Sequence, residues 1–203
     1  MEKLEGLNNS QKILKRLFDL FFSFIGILIF LIPVLLLIAL STISTGKFGL
    51  YTQLRVGKHA KTFTMFKIRT MKGIDDGLFI TLKNDKRITP IGKFLREFKL
   101  DELPQLFNVL MGNMSLVGPR PDVVGYADKL VGDDRIILNV KPGITGPATL
   151  KFKNEEELLA KQSDPLQYND EVIWKEKIKI NKNYIKNWTF KGDLKFILRT
   201  FFG

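Results

Sequence analysis

A long uncharged block near the N-terminus constrains this chain more than any other feature. No charged residue occurs from Leu20 to Gly46, and most of the block is Leu, Ile and Phe. A helix of about 20 apolar residues can cross the core of a bilayer, so the block is long enough. A signal peptide would have a shorter apolar region and a small-residue cleavage site. The block therefore predicts a retained amphipathic and membrane segment at residues 1–46, followed by a globular domain at residues 47–203.

The charges beside this block indicate its orientation. Orientation in a membrane follows the lysine and arginine residues of short flanks, and both flanks are basic. The basic residues are Lys12, Lys15, Arg16, Lys47, Arg55, Lys58 and Lys61. Two cytoplasmic flanks require a helix that bends and returns, and Pro33 permits a bend because proline removes a backbone donor and clashes with the preceding turn. We predict a re-entrant membrane helix kinked at Pro33. An ordinary span with a proline kink is the alternative.

Composition excludes several kinds of catalytic site. The chain has 203 residues, no cysteine and one histidine, His59. Thiol nucleophiles, zinc–thiolate sites, histidine metal clusters and Ser-His-Asp triads are therefore excluded. Chemistry has to use carboxylates, lysine, arginine, hydroxyl groups or a hard cation bound by oxygen. The formal net charge of +11 predicts a polyanionic partner, namely a phosphate compound, a nucleic acid or an anionic membrane surface.

The globular part has the pattern of a mixed α/β fold, with a small β-hairpin and several short, amphipathic helices packed at the membrane surface. Alternation over residues 48–72 predicts the hairpin, with its loop at Gly57. Thr89-Pro90 opens one helix, and Asp101–Pro104 opens a second that ends at Gly112. Further expected elements are a polar loop at Asp75–Gly77 and Lys83–Asp85, rigid extended loops at Gly118–Pro121 and Lys141–Pro147, and a charged helix at Asn154–Gln162.

The C-terminal stretch from Trp174 to Phe202 alternates basic and apolar residues. Basic amphipathic stretches commonly lie flat on anionic membranes. The alternative is a solvated helix whose apolar face packs on the core. The sequence leaves both interpretations open.

Adjacent carboxylates at the start of the second predicted helix are the best candidates for chemistry. Acids at a helix N-terminus are often only caps and dipole partners. The exposed amides there also bind phosphate, however, and a carboxylate there stays ionised, as a nucleophile or a Mg²⁺ ligand must. Asp101 and Glu102 are neighbours that do not face each other, so we expect two separate roles.

Cations that could bind phosphate lie in two other segments. Arg120 stands between Pro119 and Pro121, which restrict the loop and fix the direction of its guanidinium. Lys67 and Arg69 on the second hairpin strand could add two more cations, although exposed basic residues on a strand ordinarily serve solubility. No glycine-rich phosphate-binding motif is present.

Several motifs together resemble the bacterial sugar transferases, which are the monotopic phosphoglycosyl transferases. The resemblance runs from about Lys15 to Thr200, and its most specific blocks are Asp101–Gln105 and Gly118–Pro121. The motifs are Lys15–Asp19, Pro33, Gln53–Gly57, Phe66–Met71, Leu100–Leu110, Met114–Pro121 and Pro142–Gly146. The resemblance also implies that this chain is the minimal catalytic form of the family.

The activity implied by this resemblance is Mg²⁺-dependent transfer of a sugar 1-phosphate from a UDP-sugar to polyprenyl (undecaprenyl) phosphate. The products would be a polyprenyl diphosphate sugar and UMP, in the first membrane step of a surface glycan pathway. By similarity, Asp101 would form a covalent aspartyl-phosphosugar, and Glu102 would support metal binding or activate the lipid phosphate. Asp101 and Glu102 are thus also the expected metal ligands.

The resemblance also implies a location and partners. Residues 47–203 would be a cytoplasmic catalytic domain on the bacterial inner membrane. The expected partners are a UDP-sugar, polyprenyl phosphate and the phospholipid membrane, with no nucleic acid, and a homodimer is left open.

The sequence departs from the family pattern in two places. After Pro142–Gly146 the family usually continues with Leu-Ala-Gln and an Asn-Gly-Arg turn, whereas this chain has residues 147–153 without that arginine. Lys151 or Lys153 could replace it. Asn181 stands where many members have Asp, and both departures predict different nucleotide-sugar contacts on that side.

Two other function classes compete with phosphoglycosyl transfer. A non-catalytic, basic membrane-surface or nucleic-acid-binding adaptor would explain the charge but not the Asp101-Glu102 and Arg120 blocks. A membrane-attached, metal-dependent phosphohydrolase could use the same acid, but hydrolysis needs open access of water to it, while transfer needs water restricted.

Overall fold

The computed structural model describes residues 6–73 and 85–202. The polar loop expected at Asp75–Gly77 lies outside the described residues, as do the first two residues of Lys83–Asp85. The fold is mixed, with small two-stranded sheets surrounded by helices. Its main elements are α1 (Asn9–Thr45), β1 (Leu50–Val56), β2 (Thr62–Ile68), α2 (Pro90–Glu97), α3 (Gln105–Met111), β3 (Ser115–Val117), β4 (Gly143–Thr145), α4 (Pro147–Lys151), α5 (Glu155–Ala160), α6 (Pro165–Tyr168), α7 (Trp174–Lys186) and α8 (Phe190–Phe202).

Short helical turns complete the chain. The 3-10 turns are Lys58–Ala60, Leu100–Glu102, Ala127–Lys129 and Gly132–Asn139, and a π-helical turn at Asn169–Ile173 leads into α7.

The apolar block forms one continuous helix, α1, that includes Pro33. Asn8 caps its start in a reciprocal pair of hydrogen bonds with Gln11, and Gly46 ends it with a left-handed backbone at φ 73°. Among the described residues, α1 alone is long and apolar enough to cross a membrane, and only 11% of its most apolar window is buried. That exposure distinguishes α1 from the core helix of a soluble protein.

The N-terminal part of α1 is fastened to the globular part by its polar side chains. Arg16 donates from Nη1 to the Val109 carbonyl at 2.7 Å and from Nη2 to the Leu110 carbonyl at 2.9 Å, and so satisfies the C-terminal carbonyls of α3. Asp19 accepts hydrogen bonds from Ser115 Oγ at 3.0 Å and Leu116 N at 2.9 Å, which hold β3. These contacts explain two polar residues of the Lys15–Asp19 motif.

Lys15 completes that anchor in a buried network. Its ammonium lies 2.5 Å from Asp193 Oδ2 in α8, and the two side chains are 10% and 3% exposed. Asp193 also accepts hydrogen bonds from Tyr184 at 2.8 Å and from the Trp188 indole at 3.0 Å. Because both charges are paired and the carboxylate is multiply hydrogen-bonded, their burial is tolerated. The network joins α1, α7 and α8.

The C-terminal part of α1 contacts the globular part as well. Ser41 Oγ donates to the Arg69 carbonyl, and the Gly49 amide donates to Thr42 Oγ1 at 2.8 Å. A side chain at Gly49 would collide with the Ile38 carbonyl, because its Cβ would lie 2.0 Å from that oxygen. Glycine therefore lets the chain leave α1 and pass closely beside it into β1.

The predicted hairpin is confirmed. β1 and β2 pair antiparallel from Leu50 opposite Ile68 to Val56 opposite Thr62, and the turn Lys58–Ala60 follows Gly57 directly. The extended loop expected at Lys141–Pro147 was wrong in part, because Gly143–Thr145 forms β4. This strand pairs in parallel with β3, which directly precedes the Gly118–Pro121 loop. The backbones meet so closely that a Cβ at Gly143 would lie 2.1 Å from Gly118 N. Only glycine permits this pairing.

Of the two helices predicted after the hairpin, the first begins where predicted and the second begins later than predicted. α2 begins at Pro90 with Thr89 as its cap, as predicted, and it buries Leu95 but exposes Phe94 and Phe98. The second helix was expected to open at Asp101, but α3 begins at Gln105 and a 3-10 turn carries the two acids. Lys99 takes a left-handed backbone at φ 57°, which ends the preceding helix and starts this turn. α3 ends at Gly112, as predicted.

The C-terminal stretch separates into two helices that behave differently. α7 buries Ile178, Tyr184 and Ile185 against the main core, which also contains Ile136 and Val140. α8 instead leaves its apolar residues Leu198, Phe201 and Phe202 exposed. Within this stretch, core packing therefore describes α7, whereas α8 both packs Phe190, Phe196 and Ile197 against the core and carries the exposed apolar residues expected of a membrane-surface helix. The charged helix expected at 154–162 is present as α5.

Candidate functional site

Three segments distant in sequence meet around Glu102. The 3-10 turn Leu100–Glu102 packs on β2, which carries Lys67. The Gly118–Pro121 loop is held beside this turn: the Gly118 amide donates to the Thr145 carbonyl at 2.9 Å, the Val56 amide donates to the Asp122 carbonyl at 2.9 Å, and Arg120 bonds to Glu102. The loop is thus fixed at both ends, and Arg120 faces the turn.

Glu102 is held between two cations. Its Oε1 accepts hydrogen bonds from Arg120 Nη2 at 2.5 Å and from Lys67 Nζ at 3.3 Å. Burial alone would raise the pKa of Glu102, but the charges of Arg120 and Lys67 outweigh it and hold the pKa far below its usual range. Glu102 is therefore ionised at neutral pH. The carboxylate in turn holds the pKa of Arg120 above its ordinary value.

Asp101 is in a different electrostatic state. Its side chain is buried, and its Oδ1 accepts no hydrogen bond from any described residue. Burial raises the pKa of Asp101, the Glu102 charge raises it further, and Lys67 opposes both. The expectation of an acid kept ionised by a helix N-terminus therefore describes Glu102 better than Asp101. Both acids are buried, so the difference comes from the hydrogen bonds that Arg120 and Lys67 donate to Glu102.

The two acids thus have different surroundings, and their two separate roles stay a prediction. Glu102 organises cations, while Asp101 has a buried oxygen with no described partner. A carboxylate with few hydrogen bonds and a raised pKa is a better nucleophile than one paired with a guanidinium. Of the two, Asp101 has the environment of a nucleophile.

A further layer of charges was missed by sequence reasoning about the site. Asp122 follows Pro121 directly, and burial raises its pKa to about 7 against the opposing charges of Lys177, Arg55 and Arg120. Arg55 donates from Nη1 to the Pro121 carbonyl at 3.5 Å and from Nη2 to Gln53 at 2.5 Å. A sequence signal existed for Arg55, which lies in the Gln53–Gly57 motif. Lys177 comes from α7, and only the tertiary fold brings it near.

The remaining sequence-predicted residues take other positions. Arg69 donates from Nε to the Phe48 carbonyl at 2.9 Å and covers the Tyr51 ring at 5.1 Å, so its contacts lie at the base of the hairpin rather than at Glu102. Pro119 and Pro121 are buried, and their carbonyls accept hydrogen bonds from Gly143 N and Arg55. The prolines therefore position Arg120. A direct role for Arg69 in phosphate binding stays a prediction.

The donor set permits a magnesium ion. Mg²⁺ is commonly bound by one or two carboxylates together with substrate phosphates and water. Asp101 Oδ1 is a buried acceptor with no described partner, which fits such an ion. Glu102 fits less directly because its carboxylate is already paired with two cations, Lys67 and Arg120. Within residues 6–73 and 85–202, no group of three acidic or histidine side chains forms a complete protein site, so phosphate oxygens would have to complete the coordination.

The two departures from the family pattern lie in different helices: residues 147–153 form α4 and the segment after it, and Asn181 lies in α7. Lys151 pairs with Glu176 at 2.8 Å, and Lys151 and Lys177 both lie over the Phe152 ring. Asn181 is buried, with its Oδ1 unpartnered among the described residues. Replacement of the missing arginine by Lys151 or Lys153 stays a prediction.

Comparison with known proteins identifies the family. The sequence model described as bacterial sugar transferase matches residues 10–203. The chain is 38% identical to a UDP-glucose:undecaprenyl-phosphate glucose-1-phosphate transferase of Klebsiella pneumoniae, over 97% of this chain and 41% of that protein. It is 34% identical to an undecaprenyl-phosphate galactose phosphotransferase of Salmonella typhimurium, over 94% of this chain and 40% of that protein.

A shorter relative matches over most of its own length. The uncharacterized sugar transferase EpsL of Bacillus subtilis is 35% identical over 93% of this chain and 85% of that protein. The matched region thus spans about two fifths of the longer relatives and most of EpsL. The chain belongs to the bacterial sugar transferase family.

Proposed function

We propose that this protein transfers a sugar 1-phosphate from a UDP-sugar to undecaprenyl phosphate through a covalent intermediate on Asp101. The observation that carries the proposal is the difference between the two acids. Glu102 is ionised between Lys67 and Arg120, whereas Asp101 is buried and its Oδ1 has no hydrogen-bond partner among the described residues. The names of the Klebsiella and Salmonella relatives support the substrate class. Such a transfer would start a surface glycan on its lipid carrier.

The reaction would proceed by two displacements at one phosphorus atom. A carboxylate oxygen of Asp101 attacks the sugar-bearing phosphorus, and the bond from that phosphorus to the bridging oxygen breaks, which releases UMP. An oxygen of undecaprenyl phosphate then attacks the same phosphorus and releases the carboxylate of Asp101. The product is undecaprenyl diphosphate sugar. Two such steps split one difficult transfer into easier ones.

Cations on this chain would stabilise the charge that moves onto the leaving phosphate. Arg120 reaches solvent, since 40% of its side chain is exposed, and it is already aligned by Glu102. Preorganised cations of this kind lower the barrier to phosphoryl transfer because they need no reorganisation during the reaction. Mg²⁺, bound by Asp101 and, less directly, Glu102 with phosphate oxygens, would add further neutralisation of diphosphate charge.

The role of Glu102 follows from its depressed pKa. A residue whose pKa lies far below neutrality accepts a proton poorly. Among the roles predicted for Glu102, this favours support of cation or metal binding over proton removal from the lipid phosphate.

We propose further that α1 enters the inner membrane from the cytoplasmic face and returns to it. At 37 residues the helix is roughly 55 Å long, and residues 16 and 41 are roughly 37 Å apart if it is straight. Arg16 and Ser41 nevertheless both bond to the same globular part. A helix standing across the bilayer would separate these contacts onto opposite sides, so they support a monotopic arrangement.

Labelling can test this topology because the chain contains no cysteine. Single cysteines at Lys12→Cys and Lys61→Cys lie on either side of the uncharged block and replace exposed residues. We expect a membrane-impermeant maleimide to label both in inside-out vesicles and neither in intact spheroplasts. Labelling of Lys12→Cys alone from the outer face would contradict the monotopic arrangement and indicate an ordinary span.

The proposed activity is tested with purified protein in detergent, Mg²⁺, a panel of UDP-sugars and undecaprenyl phosphate, by measuring UMP. Lipid-dependent release of UMP supports transfer. Release without the lipid would favour a phosphohydrolase, and no release with any UDP-sugar would favour a non-catalytic adaptor. The panel also identifies the sugar.

Arg120→Ala should weaken binding of the UDP-sugar. Loss of a charge-assisted contact to phosphate is expected to raise KM about 10-fold or more. The matched control is Arg135→Ala, which removes an exposed arginine that bonds only to the Leu130 carbonyl among its described contacts. Equal KM values for the two variants would exclude Arg120 as a phosphate ligand.

A further inference from the structure

Two complementary polar groups lie without partners on the segment that carries Asp101. Asp101 Oδ1 and Gln105 Nε2 are both buried, and neither has a hydrogen-bond partner within the described parts of the chain. An ionised carboxylate only accepts hydrogen bonds, and an amide nitrogen only donates them. Folded proteins pair nearly all buried polar groups, so a buried donor and a buried acceptor left open on one short segment require an explanation.

Gln105 lies about one helical turn after Asp101 on a segment that packs against β2. Lys67 of β2 acts on the charge of Asp101, while Asn108 binds the same strand through the Phe66 amide at 3.0 Å and the Thr64 carbonyl at 2.7 Å. One side of residues 101–108 therefore faces β2. Gln105 lies in this segment between Asp101 and Asn108, and its side chain is only 1% exposed. Four residues separate it from Asp101, which is about one helical turn.

Gln105 has no evident structural reason to be an amide. Asn108 uses both ends of its amide to join α3 to β2, but the Gln105 nitrogen bonds to nothing in the described chain. An apolar side chain of the same size would fill the space without leaving a donor unpaired. The amide is therefore better explained by a bond that forms during the reaction, since hydrogen bonds in catalytic sites often close only when substrate is bound.

We propose that Gln105 is a positioning residue for the nucleophile: its amide N–H donates to one carboxylate oxygen of Asp101 and thereby presents the other oxygen to the phosphorus. This inference rests on the proposed function. No bond to the substrate is required of Gln105. Its contribution is to restrict the rotation of the Asp101 carboxylate at the moment of attack, and small errors in such an alignment slow a displacement strongly.

Gln105→Met tests the proposal because methionine has a similar size and no N–H. We expect kcat and the rate of adduct formation on Asp101 to fall on the order of 10- to 100-fold, with the KM for the UDP-sugar nearly unchanged. The thermal unfolding temperature should stay equal or rise, because an unpaired buried donor has been removed. Gln105→Asn keeps a donor on a shorter side chain and should recover part of the lost rate.

Asn108→Leu is the matched control for a structural role. It leaves the Phe66 amide and the Thr64 carbonyl without their partner, so its unfolding temperature should fall. A wild-type kcat in Gln105→Met would overturn the inference. A lower kcat together with a lower unfolding temperature in Gln105→Met would also overturn it, because a structural role would then explain the loss. Absence of lipid-dependent UMP from the wild-type protein would instead overturn the proposed function itself.

Discussion

Asp101→Asn is expected to reduce turnover at least about 1,000-fold, because the substitution removes the attacking oxygen anion and changes little else. Asn matches Asp in size, and the position is buried. Burial already disfavours the ionised acid, as its raised pKa indicates, so a neutral amide there should not lower the unfolding temperature. The measurements are UMP release and mass spectrometry of peptides that contain position 101.

The same experiment distinguishes a covalent mechanism from direct transfer. With the UDP-sugar and no lipid acceptor, wild-type protein should carry a phosphosugar on the peptide containing Asp101, and Asp101→Asn should carry none. Asp133→Asn is the matched control, since Asp133 is exposed and lies in a separate 3-10 turn. If Asp101→Asn kept full activity, the assignment of the nucleophile would be wrong.

The largest effect on stability is expected at Asp193. Asp193→Ala leaves the Lys15 ammonium, the Tyr184 hydroxyl and the Trp188 indole without their shared partner. Removal of one member of a buried ion pair costs roughly 3–5 kcal/mol because the remaining charge is buried and uncompensated. For a chain of this length, the unfolding temperature in detergent should fall on the order of 10 °C.

A double replacement separates the ion pair from the packing around it. Lys15→Met with Asp193→Leu removes both charges and keeps apolar bulk, so it should recover much of the stability that either single replacement loses. If Asp193→Ala alone left the unfolding temperature unchanged, the network would not be what holds α1 to α7 and α8. Thermal unfolding followed by intrinsic tryptophan fluorescence suits the measurement, because Trp188 belongs to the network.

Features with a strong local pattern could be predicted from the sequence. The alternation in residues 48–72 gave the hairpin, Thr89-Pro90 gave the start of α2, and Gly112 gave the end of α3. Each of these depends on backbone preferences of a few adjacent residues. The separate roles expected of the two acids stay a prediction, although the structure gives the acids different partners.

Features that depend on long-range contacts were not predicted in this way. Lys15 and Arg16 were interpreted as membrane-flanking charges, but they bond to Asp193 and to the end of α3. β4 pairs with β3 although a loop was expected at Lys141–Pro147, since glycine allows an approach that local propensity does not reveal. Arg69 was expected on the same strand as Lys67, but β2 ends at Ile68 and Arg69 bonds at the base of the hairpin.

The sequence by itself determined the apolar helix, the absence of thiol and histidine chemistry, and the family to which the chain belongs. The tertiary structure decided which acid is paired with two cations and which has an oxygen without a partner among the described residues, because Lys67 and Arg120 come from distant segments and both bond to Glu102. It also decided that both ends of α1 meet one globular part. A side chain's charge state depends on burial and on neighbours within a few ångströms, and those neighbours are chosen by the fold.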